Sequence, residues 1–264
     1  MTFRGSVALP LLFGVLAGSV AGLMGVGGGI LLVPLLLHFL GHTQHQAQGT
    51  SLAFVIAAAL VAVIPYIRND SVPWGLVGML ALGAVPGVIA GAALARRTSA
   101  GRLRIWFGLA MLLTAARLLI SPPSVSGGAP WPLLANAFLG FGIGTFAGLL
   151  GVGGGVFLVP ALVLGQGLNQ HTAQGVSLAL IVPIGVVGAV SYARSGHSEM
   201  RLLPALFVGG ALGGYLGASV AHLLRAPVLT RIFAVFLVAV AVQMIAGSRR
   251  FVSPAASPPA GGSS

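Results

Sequence analysis

Apolar runs separated by short polar gaps fill almost the whole chain, falling near 6–24, 28–40, 46–67, 74–95 and 103–120, and again near 131–150, 154–166, 172–193, 202–222 and 226–246. A helix needs about 20 mostly apolar residues to cross a bilayer. The backbone polar groups of such a run are satisfied internally when it is helical. The pattern therefore predicts an all-α, polytopic helical membrane protein with short loops. The second run of each set is short, which leaves two expectations open: ten crossings, or eight with the short runs as re-entrant hairpins.

The two sets are copies of one unit. Residues 21–34 (AGLMGVGGGILLVP) return as 147–160 (AGLLGVGGGVFLVP), identical at 11 of 14 positions, with an offset of 147 − 21 = 126. The same offset aligns 45–53 (HQAQGTSLA) with 171–179 (HTAQGVSLA), identical at 7 of 9. It continues through Gly83, Gly87 and Gly91 against Gly209, Gly213 and Gly217. We expect two repeat halves, 1–125 and 126–250, followed by a disordered tail at 251–264 rich in Pro, Ser, Ala and Gly. An odd number of crossings per half would place the halves in opposite orientation, an inverted repeat of about four to five membrane segments each. Glycines every fourth residue share one helix face and predict close helix packing.

Composition agrees and narrows the function classes. Of 264 residues, 57% are hydrophobic and 6% charged, and the mean hydropathy is +1.04. The formal charge of +11 comes from 13 basic residues, all Arg. They sit mainly in gaps between apolar runs, as topology signals do. No contiguous basic face is available for nucleic acid, and lipid headgroups are the expected anionic neighbours. With the N-terminus inside and ten crossings, Arg4, Arg96, Arg97, Arg102, Arg104, Arg194, Arg201, Arg249 and Arg250 fall on the cytoplasmic side. Arg68, Arg117, Arg225 and Arg231 fall outside or near that side. Both termini are then cytoplasmic. Arg4 and the run up to Ser19-Val20-Ala21 loosely resemble a signal peptide, but the recurrence of this segment around Leu133 to Leu150 argues for a structural span. Cysteine is absent, which removes disulfide, thiolate-metal and thiol-relay chemistry.

Two constellations carry candidate chemistry. Gly25, Gly27, Gly28 and Gly29, with Gly151, Gly153, Gly154 and Gly155, interrupt apolar runs, and so many glycines do not propagate a helix. Each set predicts a break followed by a short helix starting near Gly28 or Gly154, whose free N–H groups would receive an anion. The competing structural role is tight helix crossing. The second constellation is His45, Gln48 and Ser51 with its copy His171, Gln174 and Ser177, spaced i, i+3, i+6 along one helix stripe. All six side chains can donate to an oxyanion; equally, they would suit a polar helix entrance at the headgroups.

The two acidic residues, Asp70 and Glu199, fall in predicted loops. A span without carboxylates points away from cations. His38 and His42 have Leu164 and Leu168 as counterparts, so no metal or cofactor is expected. Ser51 and Ser177 lack an acidic partner for nucleophilic catalysis, which argues against an enzyme. Arg117, opposite Gln243 in the repeat register, either holds an anion or snorkels to the interface near Pro122.

The duplicated A-G-x-x-G-x-G-G-G-x-x-x-V-P segment followed by H-x-A-Q-G-x-S-x-A resembles the TauE/SafE-type sulfite exporter family across roughly residues 6 to 246. The resemblance implies a bacterial inner-membrane permease for a small sulfur-containing anion such as sulfite or an organosulfonate. It carries the family motif onto Gly25, Gly27, Gly28, Gly29 and Pro34, and onto Gly151, Gly153, Gly154, Gly155 and Pro160. A passive conduit and a non-transport assembly factor stand as alternatives. Oligomeric state, transport direction and coupling ion stay open.

Overall fold

The structure, a computed structural model, describes residues 7–69, 71–95, 100–120, 131–193 and 202–249. Asp70, Glu199, the tail at 251–264 and the arginines at 4, 96, 97, 194, 201 and 250 lie outside the described residues. Among the described residues the fold is all helical: α1 (Ala8–Met24), α2 (Gly29–Phe39), α3 (Gln44–Arg68), α4 (Trp74–Ala95), α5 (Ala100–Ile120), α6 (Leu133–Leu150), α7 (Gly155–Pro160), α8 (Gln170–Ala193), α9 (Leu203–Leu223) and α10 (Ala226–Arg249). A π turn, Ala161–Gly165, continues α7. Each element lies within a few residues of its apolar run.

Among the described residues six helices, α3, α4, α6, α8, α9 and α10, are long and apolar enough to cross a membrane. The 11-residue α2 rises only about 16 Å, short of a hydrocarbon core of about 30 Å. It folds back along α1: Gly28 lies against Ala17 and Ala21, and Phe39 meets Phe13 at 5.5 Å between ring centroids. Its counterpart α7 begins in the same way, with Gly154 against Ile143 and Ala147. Both short runs are thus the returning arms of hairpins.

The predicted glycine faces pack as the four-residue spacing requires. Gly83, Gly87 and Gly91 of α4 meet the backbone of Ala137, Phe141 and Thr145 on α6. In return, Gly140, Gly144 and Gly148 of α6 meet the carbonyls of Leu80, Ala84 and Val88. Gly209, Gly213 and Gly217 of α9 interlock likewise with Gly14, Gly18 and Gly22 of α1. Residue numbers rise together along both pairs, so α1 runs parallel to α9 and α4 to α6. A glycine on each side lets the backbones touch, and dispersion replaces the side-chain layer.

The repeat-related helices α3 and α8 meet at the centre. Leu52 lies beside Gly185 and Gly188, and Tyr66 beside Gly175. As one number rises the other falls, so α3 and α8 run antiparallel. One trio, α1, α3 and α9, faces the other, α6, α8 and α4, across this seam. Each trio mixes helices from both sequence halves.

Candidate functional site

The glycine segments are where the two hairpins touch. α1 stops because Gly25 turns left-handed, with its N–H returning to the Ala21 carbonyl at 2.8 Å; Gly151 ends α6 identically on Ala147 at 2.9 Å. Gly27, Gly28, Gly153 and Gly154 also have positive φ, between 75° and 85°. L side chains rarely adopt that conformation, and three positive-φ residues among four explain why both copies are glycine-rich. Gly28 and Gly154 then serve as N-caps of α2 and α7.

The two segments lie side by side in opposite directions. Gly29 abuts Gly151 and Val152, while Gly155 abuts Gly25 and Val26. Gly27 faces Val55 and Ile181, which are themselves repeat counterparts, 181 − 55 = 126. All ten residues of the two segments are buried. A Cβ on Gly25, Gly29, Gly151, Gly154 or Gly155 would lie within 2.9 Å of a neighbouring atom. This conformation is closed at its centre.

Each break is held by a glutamine of the opposite half and a tyrosine of its own. Gln174 Nε2 donates to the Leu23 carbonyl at 3.3 Å, and Gln48 Nε2 to the Leu149 carbonyl at 3.1 Å. The Tyr66 hydroxyl lies 2.9 Å from the Gly22 carbonyl and 3.0 Å from Gln174 Oε1. Tyr192 repeats this on Gly148 at 3.0 Å and Gln48 Oε1 at 3.3 Å. The last carbonyls of a helix have no intrahelical donor; here Gln supplies it across the seam, and Tyr supplies it from within the same half. Ser177 Oγ donates to the Gly25 carbonyl at 2.6 Å. Ser51 Oγ, fully buried, has no hydrogen-bond partner.

The structure therefore brings both glycine segments, both Gln–Ser pairs and two tyrosines into one cluster. It places His171 beside that cluster. His45 is half-buried in the first turn of α3. His171 Nε2 lies 3.1 Å from the Ala221 carbonyl, and its ring stacks on His222 at 5.2 Å. His222 in turn meets the Tyr66 ring edge-on at 4.6 Å. Arg117 is exposed in the last turn of α5. Sequence reasoning missed Tyr66 and Tyr192, although 192 − 66 = 126 puts them in repeat register. No group of three metal-binding side chains occurs among the described residues.

Comparison with known proteins identifies the family. The family described as Sulfite exporter TauE/SafE matches residues 10–244. The chain is 28% identical over 266 residues to Probable membrane transporter protein YunE of Bacillus subtilis (strain 168), covering 91% of this chain and 97% of that protein. It is 30% identical over 240 residues to a probable membrane transporter protein of Xylella fastidiosa (strain 9a5c), covering 88% and 92%. A probable membrane transporter protein of Haemophilus influenzae is 29% identical over 259 residues, covering 90% and 97%. No solved structure matches the chain. With the match running from α1 into α10, the chain belongs to the TauE/SafE sulfite exporter family of multi-pass membrane transporters.

Proposed function

We propose that this protein is a secondary-type permease of the bacterial inner membrane for a small anion, with sulfur oxyanions such as sulfite and small organosulfonates as its substrate class. The observation that carries this reading is the meeting of two helix breaks in one buried cluster, each followed by a helix start whose first N–H groups lack intrahelical acceptors. Amide donors and a helix N-terminus favour negative charge. The only acidic residues in the sequence, Asp70 and Glu199, belong to predicted loops, so nothing in the spans offers a desolvated cation a counter-charge. The family's description supplies the sulfur chemistry.

The closed centre supports alternating access over an open pore. An anion is admitted when one hairpin separates from the other, and the antiparallel seam of α3 and α8 is the natural plane of that movement. Opposite passage of α3 and α8 through the bilayer would make the two halves an inverted repeat, with both termini cytoplasmic.

Proteoliposomes given labelled sulfite, thiosulfate, sulfoacetate or acetate, with and without a pH gradient, test the reading. We expect saturable uptake of a sulfur anion and little of acetate. Flux that rises linearly without saturation would instead indicate a passive conduit, and no flux of any anion would refute the substrate class.

A further inference from the structure

The two copies of the motif are identical at the serine, yet the structure uses the two serines differently. Ser177 Oγ is committed to the Gly25 carbonyl at 2.6 Å. Ser51 is 0% exposed and its Oγ has no partner. That oxygen lies 2.6 Å from where a Cβ on Gly29 would stand, as Ser177 Oγ does from Gly155, so each serine is aimed at the first residue of a short helix and the hydrogen bond to Gly25 is what separates them. The first hydrogen bonds of α2 run from Leu31 and Leu32 to the Gly28 carbonyl, both at 3.1 Å. The amides of Gly29 and Ile30 therefore precede the ladder and point the same way as any N-terminal donor. A buried hydroxyl left unpaired is costly, and a chain that keeps one beside a helix N-terminus has a use for it.

We infer that Ser51, with the N-terminal amides of α2, is the anion subsite that is uncovered when the two hairpins part, while Ser177 is a latch that holds the α1 break shut. The inference rests on the anion-permease reading and adds that the duplicated motif holds one anion per chain. Ser51 donates its proton to an anion oxygen; a chain carbonyl already takes that of Ser177. The subsite opens as Gly29 withdraws from Gly151 and Val152, the backbone atoms that crowd it here.

The test compares Ser51→Ala and Ser177→Ala in purified, full-length protein, measuring sulfite binding by titration and thermal unfolding without ligand. One hydrogen bond to a charged group is worth about tenfold or more in affinity. We expect wild type to bind one sulfite, and Ser51→Ala to bind it at least about tenfold more weakly with an unfolding temperature equal to or above wild type. Ser177→Ala, which orphans the Gly25 carbonyl, unfolds at a lower temperature. Sulfite binding by Ser51→Ala equal to wild type, two sulfites per chain, or equal loss of stability in both variants would overturn the inference. Failure of wild type to bind sulfite, sulfate or chloride would refute the anion reading itself, and the stability pair would still test the latch separately.

Discussion

Tyr66 and Tyr192 each do for the broken helix of their own half what no residue of that helix can do, because the carbonyls of Gly22 and Gly148 lie beyond the reach of their own ladder. Removing one hydroxyl takes away the single proton that a buried carbonyl and a glutamine oxygen share. Tyr66→Phe should cost about 1–3 kcal/mol, read as a lowered midpoint in thermal unfolding, and Tyr192→Phe should behave alike. The glycines separate by the same reasoning. Gly28→Ala meets both a left-handed backbone, about 1–2 kcal/mol, and the Ala17 carbonyl. Gly153→Ala has the same backbone penalty, but its nearest neighbour is 3.6 Å away. We expect folded yield to drop sharply for the first and modestly for the second. The break itself was readable from glycine density. That Gln48 and Gln174 hold Leu149 and Leu23 carbonyls was not, since the demand of a distant carbonyl leaves no mark on local spacing.

At the scale of the helix, the apolar runs gave the ten elements and the four-residue glycine spacing gave two of the four packing faces. The other two, Gly14, Gly18, Gly22 and Gly140, Gly144, Gly148, carry the same spacing in plain view. What spacing cannot reveal is which face meets which. A leucine at Gly87 would drive into the Phe141 carbonyl and separate α4 from α6, whereas Gly78, on the same helix, has nothing within 4 Å of a Cβ. Gly87→Leu should abolish the monodisperse peak in size-exclusion chromatography, and Gly78→Leu should keep it. The π turn after Pro160 also had no local signal. Pro34, its repeat counterpart, sits inside a regular α2, so the turn is set by tertiary surroundings rather than by the proline.

For the whole molecule, the sequence periodicity announced two copies but not their interleaving, because contacts between α1 and α9 or α4 and α6 join residues far apart in the chain. Antiparallel α3 and α8 predict where their starts emerge. Thr43 and Asn169 are repeat counterparts, 169 − 43 = 126, in a chain that has no cysteine. Cysteines placed singly at those positions should react with a membrane-impermeant maleimide from opposite sides of the membrane. Labelling from one side would show that the copies share an orientation.

The exchange of glycine-faced helices also constrains how such a molecule could arise. A polypeptide containing a single repeat would leave the glycine faces of its first and fourth helices bare, since here each is covered only by the other copy. On the inverted orientation proposed above, a half-length ancestor would have needed a second chain inserted the opposite way up, in equal amounts, to be stable at all. Gene fusion then guarantees that stoichiometry, and once the copies are joined their serines are free to diverge in role while their sequences stay the same.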